Sequence, residues 1–444
     1  MVDKSPELLV VGGGLAGMVV ANGCAEEGMR VAVVEKGTEP GGSGNARIST
    51  GLFHLAWQPL DAPPQVIEET IVEATDGEAD SDLVRALARG ARAAGEWLSA
   101  EGVVFRPSRD EPVYRWHVFP HGTNVRTAHQ PERGTELMMK TLYQNFERRG
   151  GTVLYGRRAL AAVPGAEGWR VTTTDSSGRR AALSTGAVCL ADGGFQASAE
   201  MLCRYVGPQA DRLVLRSMPT QTGDGLRIAL EVGGAAVGLG RFYGHIVSAD
   251  AATKDLWPYP SLDSLCVAGV MIHCSGRCIE GVIDNGIQLA NWLARTEDPM
   301  GWAVVVSEEQ WRALGQDAPP GGFSAYHDLQ RLGGRVFIDS DVDALAASLH
   351  VPPARLGQAL AQRQAGASRW VGVPVAPGIT FTAGGIKIDA AGRALDVDGA
   401  PVPNLFAAGS NCGGMHGGPR GGYIGGLAVA AITGLAVTTS VCRS

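Results

Sequence analysis

The sequence predicts an α/β fold, on three observations. An apolar run at 8–11 leads through GGGLAG (12–17) into a helical stretch and then a second apolar run at 30–34, which is a strand–helix–strand unit. Two later apolar runs, 187–190 and 404–408, also end in small, glycine-rich segments. The chain of 444 residues holds 62 glycines, about twice the usual share of roughly 7%. They follow no Gly-X-Y period, so they mark tight turns and close approaches of backbone.

Each element follows from its local chemistry. In the first unit, Gly12, Gly14 and Gly17 fit G-x-G-x-x-G: one for the tight turn, one for the approach to a pyrophosphate, one for helix–strand packing. The helix runs over 15–27 and Gly28 can end it. Its N-terminus, with Leu15 and Ala16 in the first turn, favours an anion. Glu35 closes the second strand 23 residues after Gly12, where a carboxylate can accept a ribose hydroxyl pair; its acidity argues against a 2′-phosphate, and the motif alone does not separate NAD from FAD.

After Lys36 the run GTEPGGSGNARISTG is too long for a turn and reads as a loop laid along a ligand. Residues 65–102 and 134–149 read as helices, 152–155 as a strand, and 158–190 as an alternating meander. From about 240 to 377 the pattern is less regular and holds Trp257, Trp292, Trp302 and Trp311, which indicates a separate lobe. Nine glycines at 409–426 then precede an apolar helix at 427–437.

Composition excludes several classes. Net charge is −7, lysine occurs only five times and no basic stripe exists, so no nucleic acid is expected. Asp3 and Glu7 flank an N-terminus unlike a cleaved signal, and 427–437 is far short of the roughly 20 residues that cross a bilayer, so no transmembrane segment is expected. Eight scattered cysteines suit reduced thiols in the cytoplasm. Cys274 and Cys278, in CSGRC, resemble half a metal site, but no second pair stands at zinc-ligand spacing and no metal is expected.

Taken together, the motifs resemble the flavoprotein family of fumarate reductase and succinate dehydrogenase, and within it the tricarballylate dehydrogenase-like and ketosteroid dehydrogenase-like members. The matches are VVGGGLAG with Glu35 and Lys36, PGGSG (40–44), LADGGF (190–195), RSMPTQTGDGL (216–226), GHIVSADA (244–251), PGITFTAGGIKID (377–389) and DGAPVPNLFAAGSNCGG (398–414), in family order. The resemblance implies a Rossmann-type FAD-binding domain of the glutathione-reductase type, formed by 1–240 and 379–444, with an inserted α+β capping domain at 241–378. It implies FAD contacts from Gly12, Gly14, Leu15, Ala16, Gly17, Glu35, Lys36, Gly41, Gly42, Ser43, Ala191, Gly193, Asp224, Ala408, Gly409, Gly413 and Gly425. Some members tether FAD through a histidine in the segment matching 45–50; this chain reads NARIST there, so non-covalent FAD is expected.

The implied chemistry oxidises or reduces a CH–CH bond beside a carboxyl or carbonyl group, by hydride exchange with flavin N5 and proton exchange at the neighbouring carbon. Arg420, in HGGPRGGYIGG, matches the substrate-binding arginine of fumarate reductases, and its fork suits a carboxylate. His245 matches a substrate-binding histidine, and Arg216 could hold a second carboxylate. For the proton, Tyr423, His416, Tyr243, His245 and Asp284 are candidates, and a phenol beside a cation would ionise more readily. Two departures stand out. GRCIEGVIDNG (276–286) has Asn285, with Asp284 beside it, where fumarate reductases place a proton-donating arginine, and Phe381 replaces a family histidine. The expected activity is a dehydrogenase or reductase of a small organic acid. The rivals are a desaturase or ene-reductase of a cyclic ketone or natural-product intermediate, and an electron-transfer flavoprotein needing a partner. A small-molecule substrate is expected, and an electron-acceptor protein is a candidate partner.

Overall fold

The computed structural model describes residues 5–121, 132–166, 168–254, 260–279, 283–314, 329–363 and 366–443. Asp3, Trp257 and residues 280–282 of the GRCIEGVIDNG segment lie outside the described residues. The chain divides into two units, one made of Met1–Ser198, Ser217–Arg241 and Phe381–Ser444, the other of Ala199–Arg216 and Phe242–Thr380.

The first unit is built on a six-stranded sheet in the order Arg393–Leu395, Pro401–Ala407, Ala187–Leu190, Leu8–Val11, Val31–Val34, Thr152–Leu154. All its pairs are parallel except that of the edge strand Arg393–Leu395. The three central strands are buried at every position, which is why they read as unbroken apolar tetrads: a parallel sheet covered on both faces has no polar side. Each such Leu or Val contributes about 1.5–3 kcal/mol of burial, so the strands most apolar in sequence take the middle of the sheet.

Helix Leu15–Glu26 packs closely on the C-terminal helix Gly426–Cys442, because a Cβ at Gly434 would come within 2.9 Å of Val19 Cβ. The meander is Arg158–Gly165, Gly168–Thr174 and Arg180–Thr185. The helical stretch 65–102 is two helices, Pro64–Ala74 and Ser81–Ala100. Asp76 and Gly77 turn with φ of +52° and +74°, and Asp80 caps the second helix by accepting the N–H groups of Asp82 and Leu83. Composition alone hid this break, since the linker TDGEAD is as polar as the exposed helix faces.

The second unit centres on a sheet in the order Phe242–Ser248, Trp370–Thr382, Trp302–Ser307, Val270–His273, the strand Trp370–Thr382 running two residues past the unit. Its core sets Val270, Ile272, Ala303 and Val305 against Leu345, Leu349, Leu356 and Leu360 of helices Val342–Leu349 and Pro353–Arg363. Among the described residues, no helix is long and apolar enough to cross a membrane.

Candidate active site

In the first unit the dinucleotide loop has the predicted geometry. Gly12 has φ +99°, and a Cβ there would strike Asp192 Cα at 2.5 Å; a Cβ at Gly17 would lie 1.9 Å from Gly12 O. Above Gly14 the nearest atom to such a Cβ is Gly44 Cα at 4.0 Å, so this face has room for a ligand against backbone. Gly14 caps helix Leu15–Glu26 without any side-chain bond and no acidic residue stands in the first turn, which leaves its N–H groups to an anion. The residues therefore fit a dinucleotide pyrophosphate.

Glu35 organises this loop. Its buried carboxylate accepts the N–H of Gly13 (2.8 Å), the N–H of Gly37 (2.6 Å) and the hydroxyl of Ser43 (2.5 Å). A carboxylate offers about four acceptor positions, so roughly one remains for a ribose hydroxyl. Gly41 and Gly42 both take positive φ and carry the chain back to Ser43. Tyr143, which no motif signalled, donates its buried hydroxyl to Gly13 O at 2.8 Å.

Lys36 and Asp224, both in the expected cofactor set, pair with each other. Lys36 Nζ lies 2.6 Å from Asp224 Oδ2 and donates to Thr222 Oγ1 and Thr220 O, while Arg158 grips the same carboxylate through Nε and Nη2. Burial alone would push the Asp224 carboxyl up, but the Arg158 hydrogen bonds and the Lys36 charge outweigh it and hold it below the usual range.

Asp192 stands beside Ala191 and the turn at Gly193 (φ +84°) and is partly buried. It accepts from Gly225 N–H (2.9 Å) and Asn411 Nδ2 (2.7 Å), and burial raises its carboxyl to about 6. Ala408 is buried, Gly409 donates its N–H to Thr433 Oγ1 at 2.9 Å, and a Cβ at Gly413 would meet Val237 O at 2.4 Å. Gly425 (φ +116°) stands at the N-cap of the C-terminal helix, with no side-chain cap of its own.

Four aromatic rings and a fifth exposed one gather near this helix start. His416 stacks on Tyr423 (ring centroids 6.1 Å), Phe381 meets both, and His54 meets Tyr423 edge-on at 5.7 Å while stacking on Trp57 at 4.5 Å. Trp57 is 60% exposed, and it and Ala56 hold φ of +65° and +46°, a strained turn for non-glycine residues. Burial drives His54 and His416 down to about 4, so both are neutral. The hydroxyl of Tyr423 accepts Gly426 N–H at 3.2 Å, and burial pushes its pKa up. At neutral pH Tyr423 is therefore a neutral phenol.

Arg420 is engaged at the surface. Its guanidinium is half-exposed and pairs with Asp76 (2.7 Å) and Glu73 O (2.8 Å), the surface ion pair that competes with a substrate role. Phe381 lines the aromatic group where family relatives of the first kind have histidine, and Asn285 serves helix Gly286–Ala294 as its cap, accepting Gln288 N–H at 2.9 Å.

In the second unit, His245 stands between two partners. Nδ1 lies 2.5 Å from Asp263 Oδ2 and Nε2 lies 2.9 Å from the Tyr243 hydroxyl. Asp263 also accepts Ile246 N–H at 2.7 Å; burial raises its carboxyl, but the His245 charge and hydrogen bond more than offset that and leave it below the usual range. This Asp–His–Tyr chain can pass a proton. Sequence reading named His245 and Tyr243 separately and missed Asp263, eighteen residues on. Arg216 follows strand Val214–Leu215 and donates Nη1 to Thr380 Oγ1 at 3.2 Å.

Comparison with known proteins agrees with this cradle. The family described as "FAD binding domain" matches residues 7–252 and 315–425. An NADH:fumarate oxidoreductase of Klebsiella pneumoniae is 24% identical over 97% of the chain, and the chain spans only 46% of that protein's length. A vinyl phenol reductase of Lactiplantibacillus plantarum is 23% identical over 96% of the chain and 93% of its own length. A 3-ketosteroid Δ1-dehydrogenase structure from Sterolibacterium denitrificans, in complex with 1,4-androstadiene-3,17-dione, shares the fold with a TM-score of 0.74 at 16% identity, over 99% of each chain. The chain belongs to the FAD-binding flavoprotein family of fumarate reductase and succinate dehydrogenase.

Proposed function

We propose that the protein is an FAD-dependent oxidoreductase acting on a CH–CH bond next to a carbonyl or carboxyl group, with FAD held non-covalently. Bound FAD supplies the hydride donor or acceptor at N5. The chain's contribution is to hold the dinucleotide on the open face at Gly14, keep Glu35 for the ribose, and present an acid to the substrate's oxygen. The observation that carries this reading is the half-buried Tyr423, whose hydroxyl accepts Gly426 N–H and whose raised pKa keeps it a neutral phenol at pH 7, among the aromatic rings of the first unit. A hydrogen bond to a carbonyl oxygen stabilises the enolate-like charge that develops when the neighbouring carbon exchanges a proton. Within the second unit, the Tyr243–His245–Asp263 chain is the proposed proton relay.

The aromatic wall of His54, Trp57, Phe381 and His416 favours the second reading of the sequence, a ring-bearing ketone, enone or phenol, over a small dicarboxylate. A dicarboxylate needs Arg420 to leave Asp76; a ring with one polar oxygen needs only Tyr423 and flat surfaces to stack on. The electron acceptor is proposed to be a separate molecule, either a small dye-like oxidant or a carrier protein. The free thiols fit a reducing compartment, the cytoplasm.

The test is anaerobic. Purified protein should show oxidised-flavin absorbance that is released on denaturation, and a panel of cyclic ketones, aryl acrylates and di- and tricarboxylates should be scored for flavin bleaching or for reoxidation of dithionite-reduced enzyme. Response to ring compounds alone supports the proposal. A colourless protein that FAD does not reconstitute overturns it, and response to dicarboxylates alone returns the substrate role to Arg420 and Arg216.

A further inference from the structure

Three side chains of the second unit that the flavin chemistry does not use converge on one point. Strand Val270–His273 ends at His273, Cys274 follows it, and Asp298 precedes the next strand, Trp302–Ser307. His273 Nε2 lies 3.6 Å from Asp298 Oδ2 and 3.8 Å from Cys274 Sγ, and all three atoms lie within 4.8 Å of one another. A point equidistant from three atoms so spaced is about 2.0–2.4 Å from each, against roughly 2.0–2.3 Å for zinc bonded to nitrogen, oxygen or thiolate. From this spacing we propose that His273, Cys274 and Asp298 form a binding site for a borderline-soft divalent ion, Zn²⁺ first, with water as fourth ligand.

A second observation comes from Gly301. A Cβ there would point into the triangle, 2.5 Å from Asp298 Oδ2, 2.6 Å from His273 Nε2 and 3.0 Å from Cys274 Sγ. Any side chain at 301 would press on all three donor atoms, so glycine keeps the middle of the triangle clear. Its backbone also ties the site together, since Cys274 N–H donates to Gly301 O at 2.8 Å.

The surrounding bonds orient two of the donors. Asp298 Oδ1 accepts from Arg212 Nη1 (2.9 Å) and Met300 N–H (3.3 Å), which leaves Oδ2 for the ion. Arg212 thus fixes the carboxylate while its charge opposes a cation, which argues for moderate affinity. His273 Nδ1 lies 2.8 Å from Ser275 Oγ and 3.1 Å from Ser275 N–H. Coordination through Nε2 selects the tautomer in which Nδ1–H donates to Ser275 Oγ and gives up the backbone bond. Cys274 loses its thiol proton to solvent as the metal–sulfur bond forms. Cys278, the residue whose spacing suggested a metal pair, packs against the hydrophobic core instead.

The full-length flavoprotein, stripped with chelator, is titrated with Co²⁺ as a spectroscopic stand-in and with Zn²⁺ in competition. One equivalent per chain is expected, with a thiolate-to-cobalt charge-transfer band that Zn²⁺ displaces. Cys274→Ser should abolish the band and weaken Zn²⁺ binding at least tenfold, Asp298→Asn should weaken it, and Cys278→Ser should leave it unchanged. Flavin absorbance and turnover, retained in all three, show that they are folded. Absence of a charge-transfer band in the folded wild type overturns the site, as does a band that survives Cys274→Ser or is lost in Cys278→Ser.

Discussion

Replacing Asp192 by Asn should change how stability depends on pH. The partly buried Asp192 carboxyl is raised from 3.8 to about 6, first by desolvation and then by the nearby Asp224 charge, with the Gly225 N–H and Lys36 pulling the other way. Because the folded pKa is above the unfolded one, the folded state keeps a proton that the unfolded state loses between about pH 4 and pH 6. Stability from this group is therefore complete below the unfolded pKa and lost as pH rises through 6. Two pH units at 1.36 kcal/mol each set the size of the loss at roughly 3 kcal/mol. Asparagine carries no charge to desolvate. Its carbonyl can accept Gly225 N–H, and its NH₂ can donate to Asn411 Oδ1, a buried acceptor with no partner among the described residues. Allowing about 1 kcal/mol for weaker hydrogen bonds, the variant should exceed wild type by about 2 kcal/mol above pH 6 and match or fall below it near pH 4. Denaturant unfolding followed by flavin release, at several pH values across that window, measures the difference. A gap between variant and wild type that stays constant across the window would refute the assignment.

Other perturbations separate the readings of the site. Tyr423→Phe keeps the ring stack but removes the proton donor, and should lower kcat by roughly 100- to 1,000-fold with FAD still bound; unchanged turnover removes Tyr423 from the reaction. Arg420→Ala divides two cases: a substrate fork would cost on the order of 2–4 kcal/mol of transition-state stabilisation, whereas loss of a surface pair with Asp76 should leave activity and stability close to wild type. The structure favours the smaller effect, and steady-state kinetics with urea unfolding reads both. His245→Gln should slow the proton step by roughly 100-fold or more and flatten the pH dependence of kcat, and Tyr243→Phe should do the same; a profile unchanged in both variants eliminates the relay.

The elements that sequence reveals are those whose cause is local. Leu8–Val11 and Ala187–Leu190 are apolar throughout because a parallel strand covered on both faces has no polar side, and a reader of four residues sees this. The break at Thr75–Asp80 was not seen, because Asp76 in a left-handed turn and Asp80 as a cap look like ordinary polar helix residues until the chain is folded. The second unit stayed vague for another reason. Its sheet joins strands Val214–Leu215, Phe242–Ser248, Val270–His273, Trp302–Ser307, Phe337–Asp339 and Trp370–Thr382, whose pairings cross long stretches of chain that carry no periodic signal.

The site divides along the same line. Backbone that must approach a ligand needs glycine, so the proposed FAD cradle is legible in GGGLAG, PGGSG and the nine glycines of 409–426. Side-chain functions leave no such mark. Arg420 and Tyr423 are three residues apart in one glycine-rich segment, and the sequence gives them equal standing. The fold turns one outward to Asp76 and stacks the other, half-buried, on His416. Tyr423 stays a neutral phenol because desolvation outweighs the opposing hydrogen bond from Gly426 N–H. His54 and Trp57 join the same wall from a turn whose positive φ values at Ala56 and Trp57 no residue type announces. A glycine can therefore locate a cofactor from sequence, while the substrate is decided by which side of a short loop each polar residue faces.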